Sequence, residues 1–492
     1  MTMLIPSQRQ FIFLFLILLS NVTLAQSKTQ RAIDALARDA DLAHAGLGIC
    51  VIDVESGQVI ARNEDQRSMI PASNLKVLTT ATAIGLLGAD YRFKTELRYS
   101  GDIDANGVLN GNIWIVGYGD PTLGSDQMEE AEDLSAVMTK FRLAIQQKGI
   151  RKINGHIIGE DSYFTSSVNG PNWHWIDLGN YYGAGVWGLN IHENLYYLHF
   201  QQSSRLGSTP AVASVEPSIP ELRFFNEVTS AGSRTGDNAY IYGAPFSYER
   251  YLRGTIPIGS GRFTIKGSMP DPPLFAAQEL QASLQSVGIL TTESALSGRQ
   301  AKMRGTELSH SQLLMTHYSP TLAQIVERAN VKSVNLYCET LLKTLGKEKG
   351  KEGSIDEGID VVKDFWEDRG LSFDGVFLED GSGLSARNVV TANFLANLLR
   401  KIALDKRLFD PLYNSLPVAG KSGGMKYLLR GTVADGKVRA KTGTLGRVRA
   451  FTGYATTRTG KLLAFSMMAN DYECSSSEIR QKLAGIMRTL CE

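Results

Sequence analysis

The segment MIPASNLKVLTTATAIGLLG, residues 69–88, has the spacing of apolar residues that is typical of an amphipathic helix. Pro71 stands at a position where helices commonly begin. Ser73 and Lys76 interrupt the apolar pattern, and because they are three positions apart their side chains lie on the same side of the first turn. The sequence therefore predicts a helix that brings a hydroxyl and an amine together at its start.

This pair indicates chemistry as well as structure. A serine hydroxyl becomes a nucleophile when a base takes its proton, and a lysine can be that base when its amine is neutral. At a helix start, Lys76 meets the positive end of the helix dipole and is partly buried, and both effects disfavour its charged form. Ser-x-x-Lys alone occurs often by chance, so an ordinary buried helix start is the simpler interpretation of this pattern by itself.

Two further stretches supply groups that serine-nucleophile chemistry needs. The first, VKSVNLYCE, contains Ser333 and Asn335. Ser333 can relay a proton between Lys76 and a departing amine, and the carboxamide of Asn335 can hold a substrate amide. A buried helix start is the alternative interpretation of this stretch.

The second stretch, RAKTGTLG, contains Lys441, Thr442, Gly443 and Thr444. The amine of Lys441 and the hydroxyls of the two threonines can bind a terminal carboxylate. Gly443 lets a substrate lie against the strand backbone, because it has no side chain. A surface turn is the alternative interpretation.

Ser-x-x-Lys, Ser-x-Asn and Lys-Thr-Gly, in this order, are the three signatures of penicillin-recognising serine enzymes. The chain resembles the class C low-molecular-mass penicillin-binding proteins, the D-alanyl-D-alanine carboxypeptidase/endopeptidase family, over nearly its whole mature length. Four more stretches carry the resemblance: GYGDPTL (117–123), APFSYERYLRGTIPIG (244–259), DGSGLS (380–385) and LPVAGKSGG (416–424).

The resemblance implies a penicillin-binding/β-lactamase-like serine transpeptidase fold and a serine DD-peptidase acting on peptidoglycan stem peptides. Ser73 would attack the carbonyl between two D-alanines with Lys76 as base, and the backbone N–H groups of Ser73 and Thr444 would form the oxyanion hole. No metal or organic cofactor is implied, and β-lactams would acylate Ser73. Carboxypeptidase and endopeptidase action use the same site, so the balance between them stays open, as does the oligomeric state.

Two other functions are compatible with parts of this pattern. One is a β-lactamase or esterase of the same superfamily. The separation of 260 positions from Ser73 to Ser333 disfavours it, because a compact β-lactamase has no room for so long an insertion. The other is a non-catalytic peptidoglycan-binding protein, which the three intact motifs disfavour.

The way in which family members recognise the side chain of the substrate implies three further binding residues. Members that prefer a diaminopimelate side chain use an Asp with an aromatic residue five positions later, and Asp177 and Tyr182 have that spacing. An ordinary turn aspartate is the alternative for Asp177. The family also places an Arg directly after GSGLS, whereas here Ala386 follows and Arg387 comes one residue later. That shift can aim the guanidinium away from the substrate.

The N-terminal residues indicate export. Arg9 precedes the apolar run FIFLFLILL, which is too short to span a bilayer, and TLA forms a small-residue exit. We therefore expect a signal peptide over residues 1–25 and a periplasmic mature protein, with loose membrane association left open. The charge is nearly balanced, with 51 Lys+Arg against 50 Asp+Glu, so nucleic acid is not an expected partner.

Four cysteines, Cys50, Cys338, Cys474 and Cys491, match no metal-ligand spacing. Cys474 and Cys491 flank a predicted helix with a capping box, which would hold them too far apart for a disulfide. We expect four structural thiols, although the sequence leaves open whether any of them pair.

The two ends of the chain and its middle differ in their predicted secondary structure. Residues 47–63 predict a β-hairpin, and residues 438–471 predict three strands followed by the C-terminal helix, so both ends build one sheet in a mixed α/β (α+β) domain. Between them, short strands alternate with turn residues. We expect catalytic segments over residues 26–95 and 290–492, interrupted by a mostly β insertion of two subdomains over residues 96–289.

Overall fold

A computed structural model describes residues 27–492 of the chain. The expected signal peptide lies outside the described residues. The strands are β1 Gly46–Asp53, β2 Val59–Asn63, β3 Lys94–Ile103, β4 Val108–Gly117, β5 Lys152–Asn154, β6 Ile157–Glu160, β7 Leu195–Gln201, β8 Ala211–Glu216, β9 Arg223–Asn226, β10 Thr229–Ala231, β11 Asn238–Tyr242, β12 Glu249–Pro257, β13 Arg262–Ser268, β14 Leu290–Thr291, β15 Leu296–Ser297, β16 Gln312–Tyr318, β17 Val438–Leu445, β18 Val448–Thr456 and β19 Leu462–Asn470.

The described residues form twelve α-helices. They are α1 Lys28–Ala37, α2 Lys76–Leu87, α3 Leu134–Gln147, α4 Trp175–Leu178, α5 Pro272–Gln285, α6 Gly298–Met303, α7 Leu322–Lys332, α8 Asn335–Lys349, α9 Ile355–Glu367, α10 Ala392–Ala403, α11 Lys406–Ser415 and α12 Ser476–Leu490. None of these helices is long and apolar enough to cross a membrane.

Both ends of the described chain meet in one antiparallel five-stranded sheet, in the order β17-β18-β19-β1-β2. Strand β1 pairs with β19 over its whole length, from Gly46 opposite Asn470 to Asp53 opposite Leu463. All eight residues of β1 are buried, because helices cover both faces of the sheet. The mixed α/β architecture and the shared sheet expected from the sequence are therefore present.

The two faces of this sheet have separate apolar cores. Helices α1 and α12 pack on one face, and α2 and α7–α11 form the layer on the other. Within that layer, α2 is buried from Lys76 to Ile84 and is not amphipathic as the sequence suggested. The reason is that neighbouring helices surround it: α8, α9 and α11 contribute buried residues to the same core as α2.

A seven-stranded mixed sheet forms the first part of the inserted region, with β3, β4 and β16 among its members. Smaller sheets of three and four strands, built from β7–β13, share one apolar cluster with it and with α3 and α5. Strand β16 pairs with β3 from Tyr318 opposite Lys94. The inserted sheet therefore extends to residue 318, beyond the boundary near 290 that we expected. The linking strands β14 and β15 have two residues each, too few to show a period in the sequence.

All four cysteines are free thiols. Cys474 precedes α12 and Cys491 caps its end, so the straight helix separates them as the sequence argument required. Cys50, Cys338 and Cys491 are buried among apolar side chains, in agreement with the structural thiols that we expected.

Candidate active site

Ser73 lies in a single 3-10 turn, Ala72–Leu75, that leads into α2, and Lys76 is the first residue of that helix. The Lys76 Nζ donates to Ser73 Oγ at 3.0 Å. This contact agrees with the helical spacing of three residues, which turns both side chains to the same side. Pro71 caps the turn, close to where the sequence placed the helix start.

The Lys76 amine is fully buried and has two further acceptors besides Ser73. It donates to Asn335 Oδ1 at 2.6 Å and to the backbone carbonyl of Ser382 at 2.7 Å. Three acceptors match the three donors of an ammonium group. The amine is thus held in one position beside the Ser73 hydroxyl.

Burial lowers the pKa of Lys76, because removal from water disfavours the charged amine. The neighbouring Cys338, Glu339 and Asp380 oppose this effect, since negative charge on any of them favours the ammonium form. The net direction is downward. A lowered pKa increases the neutral fraction of Lys76, which is the form that can accept a proton from Ser73.

Ser333 occupies the turn between α7 and α8, with a left-handed φ of 59°. Such backbone is strained for a residue with a side chain, and it separates the two helices so that Ser333 faces β17. Its Oγ accepts a hydrogen bond from Lys441 Nζ at 2.9 Å. Asn335 begins α8, and its Nδ2 donates to the carbonyl of Tyr182 at 2.8 Å.

Lys441 lies on β17 and is fully buried. Burial holds its pKa well below the ordinary value, and the charge of Lys76 lowers it further. Besides Ser333, its Nζ has the backbone carbonyl of Thr442 as an acceptor at 2.7 Å. Two amines with lowered pKa values therefore flank the Ser73–Ser333 region, one from a helix and one from the sheet.

Gly443 lies against the turn that carries Ser73. A Cβ at this position would lie 2.6 Å from the carbonyl oxygen of Pro71. The missing side chain therefore makes room for the turn that carries Ser73, and the approach of a substrate to the strand backbone stays a prediction.

The two threonines of this motif lie on either side of Gly443 along β17 and have different neighbours. Thr444 Oγ1 accepts from Arg449 Nη1 at 2.5 Å, across the β17–β18 pair. The side chain of Thr442 packs against Gly424, where a Cβ would come within 2.5 Å of Thr442 Oγ1. The Lys-Thr-Gly strand is thus fixed against both the serine turn and the Gly424 turn.

The inserted region reaches the site through residues 175–183. Tyr182 is partly buried, and its hydroxyl donates to Asp177 Oδ1 at 3.2 Å. Burial raises the pKa of Asp177, while the hydrogen bond from Tyr182 lowers it. The structure therefore brings this pair together, and the Tyr182 carbonyl links it to Asn335.

Arg387 is held differently from the motif residues. Its side chain is 67% exposed and lies 3.5 Å from Glu379 Oε1, measured from Nε. Ala386 is exposed as well. The ion pair with Glu379 holds the guanidinium at the surface, consistent with the one-residue shift after GSGLS.

Sequence reasoning missed the anchoring of the DGSGLS loop. Asp380 accepts hydrogen bonds from the backbone N–H groups of Gly383 and Ser385, both at 2.7 Å. It also accepts from Trp173 Nε1 of the inserted region at 3.0 Å. The motif was visible in the sequence as a matching stretch, but this role of its aspartate was not.

A second buried acid completes the anchor. Glu339 of α8 accepts from the backbone N–H of Ser382 at 2.7 Å and from that of Gly381 at 3.0 Å. Burial raises the pKa of Glu339 to about 8, with Asp380 adding to the rise. Together the two acids hold the loop whose Ser382 carbonyl contacts Lys76. A backbone acceptor carries no residue-type signal, so the sequence could not reveal it.

Comparisons with known proteins agree with this geometry. A family model described as the D-Ala-D-Ala carboxypeptidase 3 (S13) family matches residues 29–490. The chain is 30% identical over 460 residues to a D-alanyl-D-alanine carboxypeptidase of Actinomadura sp. (strain R39), covering 89% of this chain and 80% of that protein. It is 26% identical over 447 residues to the D-alanyl-D-alanine carboxypeptidase DacB of Haemophilus influenzae, covering 90% and 89%.

A solved structure gives the same result for the fold. The crystal structure of penicillin binding protein 4 (dacB) from Haemophilus influenzae matches with a TM-score of 0.77 at 25% identity, covering 91% of this chain and 96% of that chain. The family resemblance and the penicillin-binding fold expected from the three motifs are thereby confirmed. The chain belongs to the D-Ala-D-Ala carboxypeptidase 3 (S13) family.

Proposed function

We propose that this protein is a serine D-Ala-D-Ala carboxypeptidase that cleaves peptidoglycan stem peptides through an acyl-enzyme on Ser73. One observation carries the proposal: the buried Lys76 amine lies 3.0 Å from the Ser73 hydroxyl and 2.6 Å from Asn335. A buried amine beside a serine hydroxyl is the arrangement that activates the hydroxyl as a nucleophile.

Acylation starts with proton transfer from Ser73 Oγ to the neutral Lys76 amine. The oxygen attacks the carbonyl carbon between the two D-alanines, and the backbone N–H groups of Ser73 and Thr444 stabilise the negative charge on the carbonyl oxygen. The proton then passes through Ser333 to the departing amine as the peptide bond breaks. Water hydrolyses the ester, returns the proton to Ser73 and releases the shortened peptide.

Substrate binding involves groups around this centre. Lys441, with the hydroxyls of Thr442 and Thr444, holds the terminal carboxylate, while Asn335 holds a backbone amide of the stem peptide. Gly443 shapes this site indirectly, because it lets the serine turn approach β17. Asp177, positioned by Tyr182, binds a free amine of the stem peptide. Arg387, which pairs with Glu379 at the surface, is the third residue that the family resemblance implies for the substrate.

A β-lactam resembles the scissile D-Ala-D-Ala bond and would acylate the same serine. We expect fluorescent penicillin to label the mature protein covalently, and Ser73→Ala to abolish the label. A label that persists in this variant would place the nucleophile elsewhere. Rapid turnover of nitrocefin would instead indicate a β-lactamase, and cleavage of cross-linked muropeptides from purified sacculi would add endopeptidase action.

Export to the periplasm is part of the same proposal, since stem peptides lie outside the cytoplasm. We expect processing after Ala25, so that mass spectrometry of periplasmic protein finds a mature form starting at Gln26. Retention of residues 1–25 in that fraction would argue for a membrane-anchored form.

A further inference from the structure

A cavity of about 400 Å³ opens beside Ser333 and Asn335, on the side facing the inserted region. Helices α7 and α8 and the turn between them supply one wall, and the inserted region supplies the other. The charged residues of the lining are Glu193, Lys266, Arg328 and Lys332. Three cationic side chains and one carboxylate line this space, so its charge is unbalanced.

The carboxylate, Glu193, is already saturated within the fold. It lies 3.0 Å from the Arg328 guanidinium and accepts from the hydroxyls of Ser125 and Tyr337, both at 2.7 Å. Glu193 is 5% exposed and Arg328 is 14% exposed, so the two charges neutralise each other out of solvent. The positive charge of the cavity therefore comes from the remaining two lysines.

Lys266 is one of them and is half-buried in the cavity wall. Its Nζ donates to Gln127 Oε1 at 3.1 Å and lies 5.2 Å and 5.7 Å from the ring centres of Tyr197 and Tyr181. Among residues 27–492 it takes part in no ion pair. An ammonium group has three donors, so this one retains capacity for a ligand.

Partial burial lowers the pKa of Lys266, whereas the nearby Glu193 and Asp126 raise it and Arg328 lowers it. A partly desolvated cation of this kind gains from a negatively charged partner, because charge-assisted hydrogen bonds are stronger than neutral ones. Lys332, the last residue of α7, is exposed at the rim, directly before Ser333.

We propose that this cavity is an anion subsite, in which Lys266 and Lys332 bind a carboxylate of the peptide substrate other than its terminal carboxylate. The wall that contains Ser333 and Asn335 is shared with the reaction centre, so a group in the cavity belongs to the molecule being cleaved. This inference rests on the proposed peptidase function.

Two parts of a peptide substrate can supply such a carboxylate. One is an acidic residue on the acyl side of the scissile bond, and the other is a carboxylate of the peptide that leaves when a cross-link is cut. Their chemistry at Lys266 is the same. Two matched substrate pairs distinguish them: each pair differs only in a carboxylate against a carboxamide, placed on the acyl side in one pair and on the leaving side in the other.

The measured quantity is the ratio of kcat/KM for the carboxylate to that for the carboxamide substrate. We expect the wild-type protein to prefer the carboxylate about tenfold in one pair, the range of a partly buried charged contact. Lys266→Met should bring that ratio close to one, and Lys266→Arg should keep most of it. Lys332→Met, at an exposed position that does not threaten folding, should reduce the ratio by about two- to threefold.

Lys148→Met is the matched control, because Lys148 also lies over a tyrosine ring, at 5.4 Å from Tyr99, but outside the cavity. It should keep the wild-type ratio. Equal ratios for the wild type, Lys266→Met and Lys332→Met in both pairs would overturn the subsite. A wild-type protein that fluorescent penicillin does not label and that cleaves none of the four peptides would overturn the proposed function, and the subsite with it.

Discussion

Two fully buried lysines, Lys76 and Lys441, lie on opposite sides of the Ser73–Ser333 region. Neither amine faces a carboxylate within ion-pair distance in the described residues; their partners are hydroxyl, carboxamide and carbonyl oxygens. Neutral acceptors satisfy the N–H donors without stabilising the charge as an acid would. Both amines are therefore hydrogen-bonded without an ion pair, and burial lowers the pKa of each.

Replacing the base tests this arrangement directly. Lys76→Ala should reduce the rate of acylation by fluorescent penicillin about 10²- to 10⁴-fold, the usual contribution of a general base. Lys343→Ala is a matched control, because Lys343 is also buried in the helical layer but donates to the carbonyls of Thr165 and Ser167. That control should keep the labelling rate of its folded fraction. A loss of less than tenfold in Lys76→Ala would remove Lys76 from the mechanism.

The acylation rate should also depend on pH through Lys76. Because burial lowers its pKa, the neutral amine is present at a lower pH than for an exposed lysine. Lowering the pH through that pKa protonates the base, so the rate should fall; raising it should restore the rate. Rates of penicillin acylation measured across pH 4–10 test the sign, and a rate that rises on acidification would contradict it.

For single residues, the sequence can predict which side chains form the site, but it cannot predict which backbone groups hold them. The spacing of Ser73 and Lys76 predicts their contact, and the 3.0 Å distance agrees with it. The carbonyls of Ser382 and Tyr182, which hold Lys76 and Asn335, come from segments far away in the chain. Every residue has a carbonyl, so only the folded structure shows which ones are used.

At the scale of secondary structure, the position of Ser73 depends on how closely its turn approaches β17. Gly443 permits that approach, and an added Cβ would meet the Pro71 carbonyl at 2.6 Å. A backbone atom cannot give way as a flexible side chain can, so the turn or the strand must move. A shift of this size displaces Ser73 relative to Thr444, whose backbone N–H groups we propose as the oxyanion hole.

Gly443→Ala should therefore lower acylation by fluorescent penicillin about 100-fold, while the fold is retained. Gly446→Ala provides the control, since nothing lies within 4 Å of a Cβ at that position, at the end of the same motif. It should label at the wild-type rate. Equal rates for the two variants would mean that contact between the strand and the turn does not position Ser73.

Long elements were predictable and short ones were not. The hairpin of β1 and β2, the three strands β17–β19 and the capped helix α12 all follow from clear periods and turn residues. Strands β14 and β15 gain their structure from parallel pairing with β5 and β6, which are distant in sequence. The inserted sheet ends at residue 318, and not near 290, because β16 pairs with β3, a contact between distant segments that no local pattern shows.

At the scale of the whole molecule, the inserted region contributes to the site as well as to the fold. The inserted region begins after α2, which carries Lys76, and ends before α7, which leads into the turn that carries Ser333. Trp173 bonds to Asp380 of the loop beside Lys76, and Tyr182 bonds to Asn335. The length of the insertion and its mostly β structure could be predicted from the sequence, whereas these two contacts could not.

The pair Asp177–Tyr182 gives the insertion a role in choosing substrates that can be tested separately from catalysis. This role rests on one proposed contact, between the Asp177 carboxylate and a free amine of the stem peptide.

If the Asp177 carboxylate binds that amine, Asp177→Asn should lower kcat/KM for diaminopimelate-containing peptides. An ion pair with this partly buried carboxylate should be stronger than a fully exposed pair and weaker than a fully desolvated one. We therefore expect kcat/KM to fall about tenfold. An acyl-D-Ala-D-Ala peptide without that amine should be cleaved equally by both forms, because the residues around Ser73 are unchanged. Asp102→Asn, which removes an exposed carboxylate on β3 of the inserted sheet, should alter neither rate. Equal losses on both peptides would assign Asp177 to the fold, and equal rates on both would remove it from substrate binding.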